Sequence, residues 1–393
     1  MLSVELFSGC GGLALGLAKA GFKHAMVIEQ DAAANATLLA NQKRGVLHVA
    51  DWQLISGDAR EVDYSSLEER IDLVSGGPPC QPFSIGGNHR GPEDERNMWP
   101  EAIRAVRELR PKAFLFENVR GLLRPAFDCY LTFLRLQLSW PEIAPKQGEP
   151  WLDHFARLLR HERTGRAPTY SVLIQGINAA DYGAPQKRHR AIIMGIRSDL
   201  APDLSFPPPT HSHDALVWSQ RVTGDYWKRH GIGFGRRPPL DETDKLVIKR
   251  PTAPKELPWR TVRDAIGDLP RPRLNGDPAL PNHQLHPGAR LYPKHTGSSW
   301  DEPAKALKAG DHGVPGGENI IVGSSGSVRY FTIREMARLQ GFPDDFTIGG
   351  AWKTPIKQLG NAVPIHVGFV FGLAIKRLIS GQLQKTTDAE LVA

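Results

Sequence analysis

Cysteine is scarce in this chain, with three residues among 393, at positions 10, 80 and 129. An odd number without paired spacing offers no disulfide framework and predicts a reducing compartment. The spacing also lacks any zinc-type pattern, so no metal is expected. Low-complexity tracts are absent. No uninterrupted apolar run approaches the roughly 20 residues of a membrane span, and no membrane partner is expected. The chain enters Val4-Glu5-Leu6-Phe7 without a charged leader, so the expectation is no signal peptide and a cytoplasmic location.

What is present is the composition of a soluble globular protein long enough for one large domain and a smaller one. The formal net charge of +7 and pI near 9.3 favour a polyanionic partner, a weak signal shared with many basic enzymes.

The first 200 residues read as alternating strands and helices. Val4-Glu5-Leu6-Phe7 leads into Ser8-Gly9-Cys10-Gly11-Gly12 and then a helical stretch ending at Gly21. Glycines there let the backbone approach a ligand at a helix N-terminus. A second strand, Ala25 to Ile28, ends in Glu29, placed to hydrogen-bond ribose hydroxyls. That spacing leaves a nicotinamide cofactor and S-adenosylmethionine both open. A third strand delivers Asp58, which could accept from an adenine amino group or cap a turn.

The fourth strand, Ile71-Asp72-Leu73-Val74, runs into Gly76-Gly77-Pro78-Pro79-Cys80. Neither strand nor helix can continue through that run, so the chain must turn. The turn carries Cys80 to the carboxyl end of a strand, where open α/β sheets place ligands. A fifth strand, Ala113 to Phe116, ends in Glu117-Asn118-Val119. If these strands are neighbours, Cys80 and Glu117 emerge side by side. Further on, Gln186-Lys187-Arg188-His189-Arg190 opens another strand, and period-2 alternation predicts that Arg188 and Arg190 point to one side.

Beyond Arg197 the pattern weakens into a proline-rich linker and a loop-rich region. Arg221, Lys228, Arg229, Arg236, Arg237, Lys249 and Arg250 are interleaved there with Trp218, Tyr226, Trp227 and Phe234. The mixture suits phosphate contacts with base-edge or wedge contacts. Thr332 with Glu335 forms a capping-box signature, and Gly341 stops the predicted helix. The last helix, through Ile379, is interrupted by His366 and Lys376 and is expected to pack back on the sheet.

In this order the motifs resemble those of the cytosine-C5 DNA methyltransferases over nearly the whole length. Phe7 to Gly12 looks like the family's cofactor loop, Glu29 like its ribose-binding acid and Gly57-Asp58 like its adenine contact. Pro78-Pro79-Cys80-Gln81 is similar to the catalytic loop, Glu117-Asn118-Val119 to the Glu-Asn-Val motif, and Gln186, Arg188 and Arg190 to Gln-x-Arg-x-Arg. Gly360-Asn361-Ala362-Val363 resembles the last cofactor-contacting turn. Gln30 departs from relatives that place an adenine-stacking aromatic after the acid.

The resemblance implies a Rossmann-like class I methyltransferase fold, an α/β architecture with a mostly parallel sheet of about seven strands. The catalytic domain would span 1–197 completed by 345–393, with a target-recognition domain and hinge at 198–344. It implies Cys80, Glu117, Arg188 and Arg190 as catalytic residues. Phe7, Gly9, Gly11, Gly12, Glu29, Asp58, Pro79, Asn361, Ala362 and Val363 would bind S-adenosylmethionine. Gln81, Ser84, Gln186, Arg221, Lys228, Arg229, Arg236 and Arg237 would contact double-stranded DNA. A monomer is expected, in the bacterial cytoplasm, with a possible cognate restriction endonuclease acting separately.

Three other readings compete. The tRNA-modifying relatives on the same scaffold carry a Cys-Phe-Thr signature, and no cysteine lies in the recognition region here. A non-catalytic DNA-binding protein has no need of Cys80, Glu117 and Arg190 together. A nicotinamide dehydrogenase leaves the Pro-Pro-Cys-Gln loop unexplained.

Overall fold

The apolar runs of the first 200 residues assemble into one seven-stranded sheet, ordered β3-β2-β1-β4-β5-β8-β6. The computed structural model describes residues 1–67, 71–79, 97–200, 204–233, 242–291, 296–310, 319–323 and 326–381. The strands are β1 (Leu2–Leu6), β2 (Lys23–Glu29), β3 (Leu54–Ser56), β4 (Ile71–Gly76), β5 (Ala113–Val119), β6 (Tyr170–Asn178), β7 (Gln186–Lys187) and β8 (His189–Arg197). β7 lies outside this sheet. The pairs β1–β2, β2–β3, β1–β4 and β4–β5 are parallel, and β8 runs antiparallel to β5. Strand order reverses between β1 and β4, which makes their carboxyl ends the flanks of a topological switch point.

The chain divides into two compact units. The first holds Met1–Ile177, His189–Pro207 and Gly368–Ala393; the second holds Asn178–Arg188 and Pro208–Val367. In the first unit, α1 (Gly12–Lys19), α2 (Ala32–Lys43), α3 (Trp99–Leu109), α4 (Asp128–Ser139) and α5 (Trp151–Glu162) accompany the sheet. Buried Val4, Leu6, Val74, Phe114, Phe116 and Trp99 form the centre of its core, where parallel strands covered on both faces need near-continuous apolar runs.

The second unit contains β7, β9 (His211–Ser212), α6 (His213–Arg221), α7 (Asp225–Arg229), α8 (Glu242–Ile248), β10 (Leu257–Pro258) and α9 (Val262–Ile266). It continues with β11 (Ala304–Lys305), β12 (Ile320–Val322), β13 (Val328–Tyr330), α10 (Ile333–Gln340) and α11 (Lys353–Asn361). The capping box expected at Thr332 and Glu335 is formed, and Gly341 ends α10 at φ 88°. Such a cap contributes about 1 kcal/mol.

The last helix, α12 (Ile365–Ser380), packs closely on α1 through two glycines. Its Gly368 and Gly372 face α1, where a Cβ on Gly368 would lie 2.8 Å from the Leu13 carbonyl oxygen. The absence of side chains lets the two helix backbones approach. Within Lys353–Ser380 an 18-residue window is apolar enough by composition to cross a membrane, yet 56 % of that window is buried within the fold.

Candidate active site

At the end of β1 the chain turns through Phe7, a non-glycine residue at φ 54°, then Gly9 at φ 55° and Gly11 at φ 88°. The left-handed conformation costs a side-chain-bearing residue about 1–2 kcal/mol, so the turn is held by its surroundings. Gly11 is the N-cap of α1, and Gly12 opens the helix, where both are buried. Glu29, at the end of β2, accepts the Gly9 amide on Oε2 at 2.6 Å and the Asp31 amide on Oε1 at 2.7 Å. Burial raises its pKa, and these backbone hydrogen bonds oppose the rise.

Beside it, the Gly57 amide donates to the Glu29 carbonyl at 2.9 Å, which brings Asp58 to the neighbouring strand end. A Cβ on Gly9 or Gly57 meets no atom within 4 Å, so the backbone on both sides of Glu29 borders open space. A buried acceptor with lone pairs to spare, glycine-lined backbone and a second acid on the next strand fit a nucleoside with ribose hydroxyls and an amino-bearing base. Gln30, where an aromatic was expected in relatives, is exposed.

The β4 turn is built by close packing. A Cβ on Gly76 would fall inside van der Waals distance of the Leu6 carbonyl oxygen, across the Leu6–Gly76 register pair. Asn118 Nδ2 donates to the Pro78 carbonyl at 3.1 Å, fixing the path of the turn up to the half-buried Pro79. Cys80, Gln81 and Ser84 lie outside the described residues. Because β4 pairs directly with β5, Gly76 beside Phe116, the turn and Glu117 emerge from neighbouring strands as expected.

Glu117 is buried, 8 % exposed, and its Oε1 lies 2.5 Å from Arg190 Nε. Antiparallel register sets Glu117 opposite Ile192 and Val119 opposite Arg190, so the ion pair is a diagonal contact on one face. Arg190 also donates from Nη1 to the His189 carbonyl.

Arg188 does something else, and the expected same-side arrangement with Arg190 is corrected. β7 pairs with β11 rather than joining the main sheet, and the chain leaves that pairing at Arg188. Its buried guanidinium donates to the carbonyls of Leu307 at 2.8 Å and Gly360 at 2.6 Å within the second unit. These are the contacts of a positioning residue for the turn that contains Asn361. Asn361 itself is exposed and ends α11, whereas Ala362 and Val363 are buried.

Gln186, expected to meet DNA, is fully buried. Its Nε2 donates to Leu339 O and Gln340 Oε1, and its Oε1 accepts the Leu307 amide. No atom of it is open to a duplex in this conformation.

The basic stretch also divides. Arg221 pairs with Asp244 at 2.9 Å with both side chains largely covered, and Arg229 pairs with Asp264 at 2.6 Å. Lys228 is exposed. Tyr226 and Trp227 are fully buried against Leu216, so they are core rather than wedges. Arg236, Arg237 and Phe234 lie outside the described residues.

Sequence reasoning passed over Asn118 as a clamp on the β4 turn and Arg60 beside Asp58. It also passed over Glu5, whose buried carboxyl accepts from Ser75 Oγ on β4. The legible signal for Glu5 was an acid between two apolar residues, Val4 and Leu6, inside a strand.

Comparison with known proteins adds an independent line. The sequence model of the family described as C-5 cytosine-specific DNA methylase matches residues 1–135 and 161–377. The chain is 33 % identical over 384 residues to the Type II methyltransferase M.PspPI of Psychrobacter sp., covering 96 % of this chain and 79 % of that one. It is 28 % identical over 398 residues to the Type II methyltransferase M.NgoPII of Neisseria gonorrhoeae, covering 96 % of each. Its fold matches that of a putative DNA modification methyltransferase encoded within an Escherichia coli prophage, with a TM-score of 0.55, 21 % identity and coverage of 97 % and 99 %.

Proposed function

This chain belongs to the C-5 cytosine-specific DNA methylase family, and from that premise we propose that it methylates C5 of a flipped-out cytosine within a specific duplex DNA sequence, through covalent addition of Cys80 to C6. The observation that carries the reading is the Glu117–Arg190 pair beside the turn that leads to Cys80.

Cytosine C5 is a poor nucleophile. Addition of the Cys80 thiolate to C6 makes C5 electron-rich, a role suited to a sulfur that is both nucleophile and leaving group. Addition pushes charge onto ring N3, where Glu117 would share a proton and stabilise it. Arg190 orients that carboxyl and is available to the cytosine O2. Once C5 is methylated, loss of its proton and departure of Cys80 restore the aromatic ring.

S-adenosylmethionine, when bound, supplies an electrophilic methyl group. The residues that would hold it are Phe7, Gly9, Gly11 and Gly12 along the glycine turn, Glu29 at the ribose, Asp58 at the adenine amino group, and Pro79. Asn361, Ala362 and Val363 would complete its site. C6 is inaccessible in stacked DNA, so the base must leave the helix. We assign catalysis to 1–197 with 345–393 and target recognition to 198–344. This partition by function differs from the partition by packing. Gln81, Ser84, Lys228, Arg236 and Arg237 remain the proposed DNA contacts. The setting would be the bacterial cytoplasm, as a monomer acting apart from any cognate endonuclease of a restriction-modification system.

The test is expression in a host without cytosine methylation, followed by genome-wide mapping of 5-methylcytosine. Marks at one short sequence support the reading; a soluble, folded protein that leaves none overturns it. Trapping on duplex DNA containing 5-fluorocytosine should give a covalent adduct that the Cys80→Ala variant cannot form.

A further inference from the structure

Asp58 is not a free acceptor at the end of the third strand. It caps the turn Ala59–Glu61 by accepting the Arg60 amide on Oδ1 at 2.9 Å. The Arg60 side chain then folds back on the same carboxylate. Nε lies 3.1 Å from Oδ1 and 3.0 Å from Oδ2, and Nη2 lies 2.6 Å from Oδ2. The turn is anchored in its turn by Arg104 of α3, which donates to the carbonyls of Ala59 at 2.7 Å and Val62 at 3.2 Å. Asp58 retains 21 % side-chain exposure and Arg60 57 %.

We propose that Arg60 is a positioning residue for recognition of the cofactor's adenine, holding Asp58 so that one lone pair remains directed at the amino group of the base. This rests on the reading of Asp58 as the adenine contact.

A carboxylate offers about four acceptor directions. On Oδ1 two donors are already seated, the Arg60 amide and Nε. Nη2 sits on Oδ2, and Nε is one donor shared between the two oxygens, so three donors against about four directions leave about one acceptor direction. The guanidinium also holds the carboxyl below its usual range, first through the side-chain hydrogen bond, so the acceptor stays ionised. An ionised acceptor accepts from an exocyclic N–H₂ and repels a carbonyl oxygen.

Two features make this edge contact matter. Gln30 provides no aromatic face beside Glu29, so more of the discrimination falls on the edge of the base. The fork geometry of Arg60 removes rotamer freedom from Asp58 before ligand arrives, which is preorganisation rather than a new contact.

The experiment is calorimetric titration of the full chain, without DNA, with S-adenosylhomocysteine and S-inosylhomocysteine. The second ligand carries a carbonyl oxygen in place of the amino group and an N1–H donor in place of the adenine N1 acceptor. Wild type should prefer the adenosyl ligand. Arg60→Ala should weaken the adenosyl ligand by about three- to tenfold, the effect of one misplaced charge-assisted hydrogen bond, and leave the inosyl ligand nearly unchanged. Arg60→Lys, with a point charge and no fork, should fall between. Circular dichroism with an unchanged urea midpoint excludes a folding defect.

Asp58→Ala separates the role of Arg60 from that of Asp58. If it collapses the preference while Arg60→Ala preserves it, Asp58 reads the base unaided and the proposal is overturned. If Arg60→Ala tightens adenosyl binding, Arg60 is a competitor for the carboxylate, and the proposal is again overturned. If neither variant alters the preference, the adenine assignment of Asp58 itself fails, and the proposal with it.

Discussion

Arg190 and Glu117 meet across two antiparallel strands, with Nε 2.5 Å from Oε1 and both side chains mostly covered. The contact joins two segments 73 positions apart (190 − 117) in chain numbering. Glu117→Gln keeps the shape of the side chain but removes the carboxyl. Turnover should fall by about 10²–10³-fold, the range for losing one donor or charge aimed at a developing charge. Arg190→Ala should lower turnover comparably, and steady-state methyl transfer to duplex DNA measures both. Near-wild-type turnover in either variant would remove that residue from the chemistry.

Glu5 makes stability depend on pH. Burial drives its pKa up to about 8 from an ordinary value of 4.5, with Ser75 acting in the opposite direction. The folded state therefore holds its proton after the unfolded state has released it. Relative to a residue that does not titrate, Glu5 carries no penalty below about pH 4.5 and a growing one as pH rises to about 8. Glu5→Gln should accordingly gain stability over wild type between pH 5 and pH 8. Urea midpoints at the two pH values check it, and a difference that is flat with pH contradicts it.

Arg188→Met tests the positioning role. The substitution keeps the apolar stem but leaves the carbonyls of Leu307 and Gly360 without their charged donor. An unsatisfied buried polar group costs about 1–3 kcal/mol, so the urea midpoint should fall clearly. A variant of full stability but no turnover would point instead to a direct catalytic part for Arg188.

Salt dependence separates the basic residues of the second unit. Lys228 is exposed, so Lys228→Ala should reduce the slope of log K against log salt for duplex binding by about 0.9, one phosphate contact. Arg221 is engaged with Asp244. Its replacement by alanine should act mainly on thermal stability and leave the slope nearly unchanged. The reverse pattern in a filter-binding series would exchange the two assignments.

Gly76→Ala tests the foundation of the β4 turn. The added methyl meets the Leu6 carbonyl at the β1–β4 pairing. Overpacking of this kind costs about 1–3 kcal/mol, and it should depress the thermal midpoint even though a single carbon is added.

From sequence alone, local chemistry was legible. The strand ends, to within a residue or two of Leu6, Glu29, Gly76 and Val119, the glycine turn and the Thr332–Glu335 capping box follow from hydrophobic period, turn residues and capping, which act over a few neighbours. The ordered motifs likewise pointed to the family. Tertiary structure decided which identical-looking residues share a task. Arg188 and Arg190 are two positions apart, yet β7 pairs with β11 and the strand breaks at Arg188, so one arginine supports a turn and the other faces Glu117. Tyr226 and Trp227 look like DNA wedges until packing against Leu216 makes them core. Alternation describes a strand only while the strand continues. Where pairing ends is set by contacts with residues more than a hundred positions away, and no local pattern records them.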